Sequence, residues 1–210
     1  MNTGQDYLLI VEDDRDILRL LDATLTFKGY RVILAHNGRE ALDVIQLKRP
    51  LIVITDIMMP QLDGFGLVHR LRINPETCDI PVVFITATFV APEDREFALN
   101  IGATRFIQKP VDLEKFLATI AELLQQEAPP AIEPLKEIQF YEGYRKRLEL
   151  KLEQKIKQIA REEHLLETPS KATDPYLQAS LRHSIRERDE LRLLLHQVYE
   201  QLEKYSKTNS

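Results

Sequence analysis

The sequence predicts an α/β fold for residues 1–125, a doubly wound, five-stranded parallel sheet, followed by an all-α helical hairpin or coiled coil. Three observations carry this expectation. Short β-branched runs alternate with longer amphipathic stretches, the pattern of repeated β-α units. Several of the runs are apolar at consecutive positions, as in strands covered on both faces. After residue 135 the strand signals stop and only a helical period remains.

Taken in order, "YLLIV" (7–11), "RVILA" (31–35), "LIVIT" (51–55), "PVVFIT" (81–86) and "RFIQ" (105–108) read as five strands. The first helix, Asp16 to Lys28, carries Ile17, Leu20, Leu21, Thr24 and Leu25 at helical spacing, with Gly29 where a C-terminal cap belongs. Gly38 to Leu47, Gly64 to Ile73, Pro92 to Ile101 and Leu113 to Gln125 are the remaining helices of this region, each stopped by Pro, Gly or the "APP" break.

Residues 126–135 form a proline-rich linker that stiffens the connection. The tail, 136–210, holds two predicted helices, 136–167 and 175–206, on either side of "TPSKATDP". The first bears a narrow stripe of Tyr144, Leu148, Leu152, Ile156, Ile159 and Leu166. In the second, positions 188, 191, 195, 198, 202 and 205 keep heptad spacing, and all but Arg188 are apolar. Helices with one stripe each need a covering surface, so the tail is expected to serve a homodimer or a protein partner.

Composition narrows the class. No apolar stretch approaches the roughly 20 residues needed to cross a bilayer, so no membrane partner is expected. The single Cys78 can form neither an intrachain disulfide nor a cysteine metal cluster, in keeping with a cytoplasmic protein. The first 128 residues carry a net charge of about −6 and the rest about +1. Neither part has the basic excess that phosphate neutralisation requires, so nucleic acid is not an expected partner.

In an open parallel sheet, reactive groups collect where the strands end. Glu12, Asp13 and Asp14 follow the first strand, Asp56 ends the third, Thr86 ends the fourth and Lys109 follows the fifth. Carboxylates brought so close repel one another unless a cation neutralises them. An incomplete cage of hard oxygens suits Mg2+ (or Mn2+), which keeps waters and binds phosphate oxygens. A lysine and a hydroxyl beside such a cation suit a phosphoryl group, and one carboxylate is left to act as nucleophile.

The motifs "VEDD", "TDIMMPQLDGF", "ITAT" and "FIQKP", in this order, make residues 5–125 resemble the receiver domains of two-component response regulators, with their flavodoxin-like fold. The resemblance implies a phosphoprotein of a phosphorelay, in which Asp56 accepts a phosphoryl group from a histidine kinase or phosphotransfer protein. It implies no enzyme activity beyond self-catalysed phosphorylation and slow autodephosphorylation. Asp13, Asp56 and the Met58 backbone carbonyl would bind the metal directly, with Glu12 acting through water. Thr86 and Lys109 would hold the phosphoryl oxygens, the Lys109–Pro110 bond being usually cis in the family. Thr86 and Phe106 would form the switch, altering the surface of the fourth helix, fifth strand and fifth helix. Asp63 reads as a helix N-cap, Asp14 as a peripheral carboxylate, and the Met58 and Met59 side chains as core filler.

The tail matches no familiar output module, and its expected role is self-association or partner binding. Two alternatives stand beside it. A DNA-binding transcriptional regulator would use a basic recognition helix, but Arg182, Arg186, Arg188 and Arg192 are interleaved with Glu187, Asp189 and Glu190. A phosphotransfer adaptor would use His164, His183 or His196, but His183 lacks an acid after it and small residues around it.

Overall fold

Strands β1 (Leu8–Val11), β2 (Val32–Ala35), β3 (Ile52–Thr55), β4 (Val82–Thr86) and β5 (Arg105–Gln108) form one sheet in the order β2-β1-β3-β4-β5. Every pairing is parallel, with Leu8 opposite both Val32 and Ile52, Val53 opposite Val82, and Val83 opposite Arg105. The computed structural model describes residues 6–126, 135–168 and 173–208. Residues 127–134 of the expected linker and 169–172 of the expected interhelical turn lie outside them. The chain divides into two compact units, Met1–Leu135 and Lys136–Ser210.

In the first unit, α1 (Arg15–Phe27), α2 (Gly38–Leu47), α3 (Gly64–Ile73) and α4 (Pro92–Asn100) connect the strands, and α5 (Leu113–Gln125) follows β5. Alternation along the strands divides the core in two. Leu8, Ile10, Ile52, Ile54, Val83 and Ile85 face Leu18, Leu21 and Leu25 of α1 and Phe116, Ile120 and Leu123 of α5. On the other face, Phe84 of β4 meets the edge of Phe65 of α3 at 5.4 Å between ring centres, and Phe65 meets Phe97 of α4 at 5.2 Å. These edge-to-face contacts suit the quadrupoles of the rings.

Two sequence expectations change in detail. Burial on both faces holds for β1, β3 and β4, but β2 and β5 lie at the sheet edges and are only partly covered. The buried line of α1 is Leu18, Leu21 and Leu25, while Leu20 is 50% exposed. The difference in phase has a local cause. Asp14 caps the helix by accepting from the Asp16 and Ile17 N–H groups at 2.9 and 3.1 Å, so α1 begins at Arg15 and Leu18 turns inward.

The second unit is a pair of helices, α6 (Glu137–Leu166) and α7 (Pro175–Thr208). Cross-helix contacts run in opposite order along the two: Glu149 with Tyr199 at 2.5 Å, Lys155 with Glu187 at 2.9 Å, Gln158 with Ser184 at 3.1 Å and Glu162 with Ser180 at 2.8 Å. The helices are therefore antiparallel. Phe140, Tyr144, Leu148 and Ile159 are buried on α6, and Leu191, Leu194 and Val198 on α7. Ile156, expected in the stripe, is 44% exposed, and Lys155 reaches across the helix pair instead. On α7, Leu194 joins the buried line, and Leu195, Leu202 and Tyr205 are half-buried. A 3.6-residue helix drifts from a strict seven-residue repeat over so long a span, which explains the departure from the heptad.

Candidate functional site at the carboxyl edge of the sheet

The crevice lies where the strand order reverses, with β1 between β2 and β3. Backbone hydrogen bonds continue the sheet one residue past the strands and so fix the functional positions. The Glu12 N–H donates to the Ala35 carbonyl at 3.1 Å, the Asp56 N–H to the Val11 carbonyl at 3.0 Å, and the Lys109 N–H to the Thr86 carbonyl at 2.9 Å. The Lys109–Pro110 peptide is cis.

The side chains of Glu12, Asp13, Asp56 and Lys109 converge. Carboxylate oxygens of Glu12, Asp13 and Asp56 lie within 4.8 Å of one another. Lys109 Nζ donates to Asp56 Oδ2 at 2.6 Å and to Glu12 Oε2 at 2.8 Å, while Asp56 Oδ1 accepts from the Ile57 N–H at 2.5 Å. Glu12 is 2% exposed and Asp56 8%, whereas Asp13 is open to solvent. Thr86 is fully buried at the end of β4, its Oγ1 accepting from the Thr88 N–H at 3.3 Å.

The charges do not balance: three carboxylates face one ammonium. Burial, followed by the Asp56 charge, pushes the Glu12 carboxyl up to about 7, and the same two causes raise Asp13. Burial pulls Lys109 down, but Asp56 and Glu12 outweigh it, so its ammonium form is favoured overall. A compact set of carboxylate oxygens with unspent negative charge fits a hard divalent cation.

The remaining expected site residues are placed by the elements that carry them. Met58 sits two positions past Asp56 in the β3–α3 loop and is half-exposed, while Ile57 and Met59 on either side of it are buried. Phe106 is half-buried on β5, opposite Phe84 with ring centres 6.5 Å apart. Thr86 follows Phe84 on the same face, so Phe106 is its diagonal neighbour across the sheet. Asp63 caps α3 by accepting from the Gly66 N–H at 2.8 Å, and Asp14 caps α1, outside the acidic cluster.

Gly64 was not singled out by its chemistry, yet it is part of the site's construction. A Cβ placed there would lie 2.2 Å from the Asp56 carbonyl oxygen and 2.9 Å from the Phe84 ring. Only a residue without a side chain lets α3 start this close to Asp56. The visible signal is the glycine directly after the Asp63 cap.

In the second unit, the tail histidines are exposed and each has a glutamate three or four positions further along the chain. His164 lies 3.2 Å from Glu167, His183 3.4 Å from Glu187 and His196 3.4 Å from Glu200. Among the described residues, no helix is long and apolar enough to cross a membrane.

A parallel sheet of this order with an acidic trio and a lysine at its carboxyl edge defines a receiver-type α/β domain. The sequence profile of the response regulator receiver domain matches residues 8–121, and the chain belongs to that family. It is 41% identical over 122 residues to the response regulator MprA of Mycolicibacterium vanbaalenii, a match covering 58% of this chain and 52% of that protein. The probable transcriptional regulator ycf27 of Cyanophora paradoxa is 36% identical over 132 residues, covering 63% of this chain and 54% of that protein. The chain thus spans about half the length of the curated relatives it matches. Among solved structures, the signal receiver domain of a signal transduction histidine kinase from Syntrophus aciditrophicus superposes with a TM-score of 0.53 at 32% identity, covering 59% of this chain and 96% of that one. The chemotaxis response regulator CheY4 of Vibrio cholerae gives 0.53 at 31% identity, covering 57% and 98%.

Proposed function

We propose that this response regulator accepts a phosphoryl group on Asp56, and that the position of Lys109 is the observation that carries the reading. Its ammonium bridges Asp56 and Glu12 at the switch point of the sheet, where it can pass from a carboxylate oxygen to a phosphoryl oxygen without leaving the crevice. A carboxylate oxygen of Asp56 attacks phosphorus, and the P–N bond of a phosphohistidine breaks with its electron pair leaving on the imidazole. The donor is a histidine kinase or a phosphotransfer protein. The chain acts as a cytoplasmic signalling protein that assists its own phosphorylation. Asp13, Asp56 and the Met58 carbonyl would hold Mg2+, with Glu12 acting through water, and the bound ion would supply positive charge for the phosphoryl oxygens. Thr86 and Lys109 hold the other oxygens.

The phosphoryl group adds nearly two negative charges beside Thr86. Thr86 moves toward it, and Phe106 fills the space released, which alters the surface of α4, β5 and α5. Residues 136–210 are the output region, a helical pair used for self-association or for binding a protein partner. The similarity to ycf27, a probable transcriptional regulator, favours a second reading, transcriptional regulation. Against it stand two helices of 30 and 34 residues, unlike the short helices of a helix-turn-helix reader.

Acetyl phosphate with Mg2+ is expected to label the wild-type chain and to leave Asp56→Asn unlabelled. Labelling of that variant at the wild-type rate would remove Asp56 from the mechanism.

The cation has its own test. Glu12 is raised from the ordinary carboxylate range to about 7, so its contribution to stability is fully present below about pH 4.5 and lost as pH rises through about 7. Mg2+ binding requires the ionised form. The rise in melting temperature on adding Mg2+ should therefore be larger at pH 8 than at pH 5. A rise equal at both would mean that the ion binds elsewhere.

A further inference from the structure

Leu62 lies between the first turns of two helices. Its carbonyl accepts a hydrogen bond from the Gly38 N–H of α2 at 2.8 Å. A Cβ on Gly38 would lie 2.6 Å from that oxygen and 2.9 Å from Leu62 Cγ; one on Gly66 of α3 would lie 2.7 Å from Leu62 Cδ1. Real Cβ contacts are not so short, so both glycines leave room for the same residue. The helix starts around it are also fixed, because Asn37 caps α2 by accepting from the Arg39 and Glu40 N–H groups and Asp63 caps α3.

Leu62 belongs to the loop that carries Asp56 and Met58, and this loop has little freedom of its own. The Gly64 N–H donates to the Ile57 carbonyl at 2.9 Å, the Leu62 N–H donates to the Pro60 carbonyl at 2.8 Å, and Gln61 between them has a positive φ of 66°. Ile57 and Met59 anchor the start of the loop in the core. Leu62 anchors its far end to α2, an element that supplies none of the proposed cation ligands. A shift at Leu62 must pass back along closed hydrogen-bonded turns toward Met58.

We propose that Leu62, held between Gly38 and Gly66, is a positioning residue that sets the cation affinity of the site by fixing the loop bearing Asp56 and Met58. The inference rests on the reading of Asp56 and the Met58 carbonyl as ligands. Residues that orient metal ligands without touching the metal typically change affinity by about 10- to 100-fold when altered.

The test titrates Mg2+ into the full chain and follows melting temperature, with acetyl phosphate labelling as a second readout. Gly38→Ala and Leu62→Ala are each expected to raise the half-saturating Mg2+ concentration by roughly 10-fold, and Gly66→Ala by less, because it meets only the tip of the Leu62 side chain, with labelling returning to the wild-type rate at saturating Mg2+. In a Leu62→Ala background, Gly66→Ala should add no further change, because the side chain it would displace is gone. Leu62→Ala only removes atoms, so it answers the question even where an added methyl prevents folding. Melting temperatures that fall without Mg2+ while the half-saturating concentration stays at the wild-type value would overturn the proposal, leaving Leu62 as packing alone. If wild type binds Mg2+ but is labelled away from Asp56, the phosphoacceptor reading fails while the Mg2+ midpoints still judge Leu62. If wild type does not bind Mg2+, both fail.

Discussion

Gly64→Ala is expected to destabilise the first unit by about 1–3 kcal/mol or more, the range for forcing extra volume into a packed site, and to slow labelling of Asp56 in the protein that still folds. An added methyl would meet the Asp56 carbonyl oxygen at 2.2 Å, the Ile57 Cα at 3.0 Å and the Phe84 ring at 2.9 Å. Two of these three are backbone atoms of the loop that starts the site, so relief can come only from moving α3 away from Asp56. A gain in helix propensity on replacing Gly with Ala, at most about 1 kcal/mol, does not offset this. Thermal melting without Mg2+ reads the first effect, and labelling at a temperature where the variant is folded reads the second. An unchanged melting temperature would mean that the contact between Gly64 and Asp56 is not close in solution.

Lys109→Ala is expected to act through charge. It removes the ammonium shared by Asp56 and Glu12, and breaking a buried ion pair on one side typically costs about 3–5 kcal/mol. Lys109 is 13% exposed, so the lower part of that range applies. The cost should depend on pH. At pH 5 Glu12 holds a proton and loses only a hydrogen-bond partner; at pH 8 it is ionised and loses an ionic one, so destabilisation is larger. Added Mg2+ should recover much of it by supplying positive charge. Lys109→Ala should also uncouple phosphorylation from any change in assembly, as light scattering of the full chain would show. Equal melting curves for variant and wild type at pH 8 would contradict the geometry of the site, and retained coupling would contradict the role of Lys109 in the switch.

The extent to which the sequence announces this structure differs between its parts for physical reasons. Strands β1, β3 and β4 are buried on both faces and read as unbroken apolar runs, so they and the polar residues that end them were legible. Because Glu12, Asp56 and Lys109 each lie one position beyond a strand, correct strands place them at the same edge. Phase was harder. In α1, Leu20 is as plausible as Leu18 by spacing, but Leu18 is buried and Leu20 is half exposed, while Ile17 packs against the core from a half-buried position. The contacts of Gly38 and Gly66 were not legible, because these residues act by what they leave out, and for Gly64 the one signal was its place directly after the Asp63 cap. In the tail, Leu and Ile spacing indicated long helices, but the pairing of Lys155 with Glu187 and of Glu162 with Ser180 depends on the antiparallel register, which neither helix specifies alone.

The most direct test of the account is to map the phosphoryl group on the full wild-type chain after treatment with acetyl phosphate and Mg2+. The geometry around Lys109 predicts modification of Asp56 alone, lost when Mg2+ is chelated. Label on His164, His183 or His196, or label at Asp56 that persists without a divalent cation, would contradict it.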